Sequence, residues 1–70
     1  MSNYIEITFT DLQREQQDIL IAKLTEAGFT GFEEEENQLK AYIPEEDYAI
    51  DVLNYITNKY QAVFSEVRIE

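Results

Sequence analysis

The chain has no cysteine and no histidine among its 70 residues. Without cysteine, neither a disulfide nor a thiolate-bound metal can staple so short a domain. Without histidine, only carboxylates remain as side-chain metal ligands, and these favour hard, weakly held cations. General acid–base catalysis also loses its commonest agent. Positive charge is scarce: five Lys and Arg stand against fifteen Asp and Glu, a net charge of −10. Such a field repels phosphate backbones and anionic membrane surfaces and favours basic proteins as partners. The same charge keeps a small domain soluble. No apolar run approaches the ~18 residues that a membrane span needs. The N-terminus lacks a basic, apolar leader, so no signal peptide is expected and the cytoplasm is the default location. No Gly-rich phosphate or dinucleotide loop occurs. Lys23, Lys40 and Lys59 read as surface cations rather than nucleophiles. No catalytic, cofactor-binding or metal-ligating residue is assigned on these grounds.

What is present belongs to a globular domain. The hydrophobic share is 44%, with five Tyr and four Phe. A domain this small buries only about 60% of the surface its unfolded chain exposes, so its packing must be good. Both glycines fall in the stretch from Glu26 to Ile43. Gly28 can take the left-handed position that closes a helix, with Phe29 folding back on the last turn.

Tyr4 to Phe9 alternates with period two, placing Ile5, Ile7 and Phe9 on one face and Tyr4, Glu6 and Thr8 on the other. A helix is expected over Leu12–Ala27, capped by Thr10 in a box with Gln13, or by Asp11. Ile19, Leu20, Leu24 and Ala27 form its apolar stripe, with Ile21 at the flank. Phe29–Glu36 reads as a second strand. Its four glutamates have poor strand propensity, which suits an edge. Asn37-Gln38 is a hairpin loop leading into a third strand, Leu39–Ile43. Pro44 and the acids Glu45 to Asp47 open a second helix, with Ala49, Val52, Leu53, Ile56 and Tyr60 facing inward. Val63–Ile69 is the last strand. Its Val63, Ser65, Val67 and Ile69 are assigned to the covered face, and Phe64, Glu66 and Arg68 to the other.

The order β-α-β-β-α-β predicts an α+β, ferredoxin-like sandwich of one domain, residues 1–70. Right-handed crossovers put both helices on one face of a four-stranded antiparallel sheet, with strands one and three central. The face left open carries the candidate partner-binding residues Tyr4, Glu6, Thr8, Glu33, Glu35, Tyr42 and Phe64. Related sheets stack RNA bases on such aromatics, but the basic residues that hold phosphates are missing here. A protein partner, or a neighbouring domain, fits the face better. The plainer alternative is a wet sheet stabilised by cross-strand pairs. The glutamate run is a solvated charge face or, functionally, an electrostatic lure for a basic protein.

The opening Tyr4-Ile5-Glu6-Ile7-Thr8-Phe9 and the run Leu24-Thr25-Glu26-Ala27-Gly28-Phe29-Thr30-Gly31-Phe32-Glu33 are followed by Leu39-Lys40-Ala41-Tyr42-Ile43-Pro44. Together these resemble the N-terminal domain of bacterial methyltransferases acting on ribosomal protein L-eleven, the PrmA type. The resemblance spans essentially the whole chain. It implies a ferredoxin-like substrate-recognition domain that docks a basic ribosomal protein. A separate catalytic domain would use S-adenosylmethionine to methylate lysine side chains and the α-amine. That domain is not in this chain, so no catalytic residue is carried over, and S-adenosylmethionine is expected only there. Partners implied are ribosomal protein L-eleven and the missing catalytic domain. A monomer is expected, with no direct nucleic-acid or membrane contact. Two other readings are a small-molecule sensor of the ferredoxin-like type, pairing its sheets in a dimer, and a stand-alone acidic interaction module.

Overall fold

The structure is a computed structural model and describes residues 3–69, Arg68 by its backbone alone. Its elements run β1 (Tyr4–Thr10), α1 (Arg14–Glu26), β2 (Gly31–Glu34), β3 (Gln38–Pro44), α2 (Ile50–Tyr60) and β4 (Val63–Ile69). The four strands form one antiparallel sheet in the order β2-β3-β1-β4. This is the α+β, ferredoxin-like arrangement, with β1 and β3 central. Alternation in β1 and β3 places Ile5, Ile7, Phe9, Leu39, Ala41 and Ile43 inward, where all six are buried. Leu20 and Leu24 of α1 and Leu53 and Ile56 of α2 meet them in a single core, so both helices lie on one face.

The turn after α1 forms as its residues dictate. Gly28 takes φ 105°, which a Cβ would make strained. Its N–H donates to the Thr25 carbonyl at 3.2 Å, and the Phe29 N–H donates to that of Leu24 at 3.0 Å. This pair of bonds satisfies carbonyls that a helix end would otherwise leave bare. Phe29 then lies buried in the core rather than opening β2, which begins only at Gly31. Gln61, at φ 53°, closes α2 in the same way, with the Ala62 N–H donating to Thr57 at 2.9 Å.

Several boundaries differ from expectation, each for a local reason. Neither Thr10 nor Asp11 caps α1. Asp11 turns left-handed (φ 58°), Leu12 drops into the core, and its N–H donates to Asn37 at 3.0 Å. The helix therefore starts after Gln13, whose N–H donates to Gln16 Oε1 at 2.9 Å. The buried stripe is Gln17, Leu20 and Leu24, with Ile21 and Ala27 partly buried, while Ile19 is 46% exposed. Gln17 takes the inward place because its amide is needed there, as described below. Gln38 belongs to β3, opposite Thr10, so the hairpin turns through Glu35, Glu36 and Asn37. Pro44 ends β3 and does not start a helix. A single 3₁₀ turn, Glu45–Asp47, follows, and two further residues separate it from α2. That delay lets Tyr48 fold against the core. Ala49 and Val52 are exposed, and Tyr60 is half-buried.

The largest correction concerns β4. Phe9 opposes Phe64, and Glu6 opposes Val67, so Phe64 and Glu66 lie on the helix side. Val63, Ser65, Val67 and Ile69 lie on the open side. A one-residue change of phase moves every side chain to the other face. Here the single large ring decides it. Phe64 packs on Phe9, centroids 6.1 Å apart and planes tilted by 50°. Such ring pairs add about 0.5–1.5 kcal/mol beyond burial.

Candidate protein-docking face

The open face reads across the sheet as three phases. On β2 and β3 it presents Glu33, Lys40 and Tyr42; on β1, Tyr4, Glu6 and Thr8; on β4, Val63, Ser65, Val67 and Ile69. Six of the seven expected residues therefore gather on this side. Tyr4, Glu6, Thr8, Glu33 and Tyr42 sit on strands. Glu35 lies beyond the end of β2, in the loop, with its carboxylate 4.0 Å from Lys40 Nζ. Phe64 does not belong to the site: it is half-buried on the other face.

Sequence reasoning missed the β4 contribution. Val63 is 66% exposed, Val67 53% and Ile69 38%. The alternation that marks them as one face was legible, but their direction depended on Phe64. The face is thus apolar at its β4 margin and acidic at its β2 margin. Glu6, Glu33 and Glu35 stand against Lys40 alone among the described residues.

Short-range bonds fix the acidic side. The Tyr42 hydroxyl donates to Glu33 Oε2 at 2.8 Å, and the Thr8 hydroxyl donates to Glu6 Oε1 at 3.4 Å. The bond to Glu33, with burial and the nearby carboxylates, pushes the Tyr42 hydroxyl up from 10.0 to about 12. Its contribution to stability is therefore present below pH 10 and is lost as pH rises through about 12. In a spectrophotometric titration at alkaline pH, the Tyr42 hydroxyl is expected to ionise in a late step, at about 12. In Glu33→Gln that late step should move back toward 10. A late step unchanged by the substitution would assign it to another cause.

Behind the sheet, Gln17 is 2% exposed and its amide nitrogen makes two bonds. Nε2 donates to the Glu35 carbonyl at 2.9 Å and to that of Leu12 at 3.4 Å. The helix thereby holds the backbone of the glutamate loop. A polar cleft of about 360 Å³ opens beside it, lined by Arg14, Gln17, Glu34, Glu35 and Glu36. A second groove of about 320 Å³ runs between the helices, walled by Ala27, Val52 and Ile56 and flanked by Lys23 and Lys59.

Among the described residues no three carboxylates converge on a point that could hold a metal. The two glycines close a helix and open a strand, with Tyr42 and Ile43 side chains as their nearest neighbours. No helix among the described residues is long and apolar enough to cross a membrane.

Comparison with known proteins yields no relative. No family model, no curated protein and no solved structure matches the chain.

Proposed function

We propose that the chain is a docking domain for a basic protein, bound on the open face of the sheet. One observation carries this reading. A four-stranded sheet covered on one side only presents Glu6, Glu33 and Glu35 beside exposed Tyr4, Val63, Val67 and Ile69. The acidic side would steer encounter while the apolar side holds the complex. The −10 net charge selects the sign of the partner.

The resemblance to the recognition domain of ribosomal protein L-eleven methyltransferases names a candidate partner of that sign. On that reading the domain presents L-eleven to a catalytic domain outside this chain, which supplies the S-adenosylmethionine chemistry, and the encounter takes place in the cytoplasm.

An NMR titration of the labelled chain with purified L-eleven tests this directly. Shifts are expected at Tyr4, Glu6, Thr8, Glu33 and Tyr42, and Tyr42→Ala should weaken binding with the fold intact. Shifts confined to α1 and α2, or none at moderate salt, would remove the open face as the docking surface.

A further inference from the structure

The two margins of the sheet are built differently. β2 is four residues long and runs directly into acidic Glu35 and Glu36. Short, charged edges resist pairing with other chains. β4 is guarded less: it carries one acid and one base, Glu66 and Arg68, and is nearly twice as long. It is seven residues long and contains no proline and no lysine. It pairs with β1 in unbroken register from Tyr4–Ile69 to Thr10–Val63, so no bulge turns it aside. Among the described residues its one strand neighbour is β1, so its outer edge turns backbone donors and acceptors away from the sheet.

The side chains of β4 show what an added strand would need. On the open face it would lie beside Val63, Ser65, Val67 and Ile69, and so would present aliphatic groups there. On the other face, midway along β4, it would meet Glu66. This carboxylate is exposed and accepts the Tyr48 hydroxyl. A lysine or arginine at that point completes the match. A second copy of this chain fits poorly. It would bring another charge of −10 against the first.

We infer that β4 accepts an extended segment of the basic partner as a fifth strand, with aliphatic residues alternating along it and a cation opposite Glu66. Backbone bonds then supply affinity, and the alternating side chains supply register. The inference rests on the docking of a basic protein and adds the mode of attachment.

The probe is a capped peptide, Lys-Lys-Val-Thr-Val-Lys-Val-Thr-Val-Lys-Lys, added to the labelled full chain. Its control replaces the first Thr-Val by Pro-Pro at constant charge. Strand N–H groups alternate in direction, so two adjacent prolines remove a donor toward β4 in any register. Slowed amide exchange is expected along Val63–Ile69, with the control binding about tenfold or more weaker. Val67→Glu should also weaken the peptide about tenfold, although it makes the chain more negative. Equal affinity for the two peptides, or tighter binding by Val67→Glu, would reduce the contact to charge attraction and overturn the inference. Protection of β4 that grows with protein concentration without peptide would make a second copy the occupant and likewise overturn it. If neither peptide binds while L-eleven still shifts Glu33 and Tyr42, the edge is refuted and the docking reading stands. If L-eleven is silent as well, both fall.

Discussion

Phe9→Ala is expected to leave little of the native state at 37 °C. Phe9 is 0% exposed and sits mid-sheet with Phe64 against its ring. Removing a buried phenylalanine costs about 3–5 kcal/mol, part of it from the cavity left behind. A domain of 70 residues has about 3–10 kcal/mol in total, at roughly 0.05–0.15 kcal/mol per residue. One side chain therefore commands much of the stability. Thermal or urea unfolding should show the midpoint falling by about 15 °C or more, at roughly 4–8 °C per kcal/mol. Phe64→Ala should cost less, because that ring is only half-buried. The double variant should lose less than the sum of the two, by about 0.5–1.5 kcal/mol. Strict additivity would separate the rings and place β4 in the opposite phase.

Reversing Glu33 and Glu35 to lysine should slow capture of the basic partner by tenfold or more at low ionic strength. Each reversal changes the charge by two, taking the chain from −10 to −6. Steering by a charged face can raise association rates by about 10–1,000-fold, and salt screens it within about 10 Å at 0.1 M. Stopped-flow association with L-eleven at several salt concentrations measures the effect. The parent and variant rates should converge as salt rises, with dissociation changing less than association. Glu33→Gln serves as the control for the lost Tyr42 bond, since it keeps an acceptor while removing charge. An association rate indifferent to salt would sink the electrostatic part of the docking reading.

Most of the fold could be read before any coordinates because its signals were local. Tyr4–Phe9 and Leu39–Ile43 alternate without conflict, and Gly28-Phe29 carries its own turn chemistry. These marked the elements, whose order with right-handed crossovers gave the topology, and placed Tyr4, Glu6, Thr8 and Tyr42 on the open face. The failures came where a distant contact decided between two local options. In β4 both phases contain apolar residues, so alternation alone could not say which faces the helices; Phe9 chose Phe64. In α1 the inward place of Gln17 was hidden because glutamine reads as solvent-facing. Its role exists only because the carbonyls of Leu12 and Glu35, far apart in sequence, both need a donor there. The apolar margin of the docking face was missed through the same error of phase.

The bond from Gln17 to the Glu35 carbonyl has a consequence for recognition itself. Glu33 and Glu34 are held by their pairing with β3, but a turn carrying Glu35 and Glu36 and attached only at its ends would be looser, and a partner would have to freeze it on arrival, at about 1–2 kcal/mol for each backbone residue ordered. Anchored to α1, the loop carries its charge already in position before any partner arrives. Part of the ordering is thus completed during folding, and correspondingly less is charged against the complex. Loosening that anchor should appear as a weaker, more temperature-sensitive complex even where every carboxylate remains.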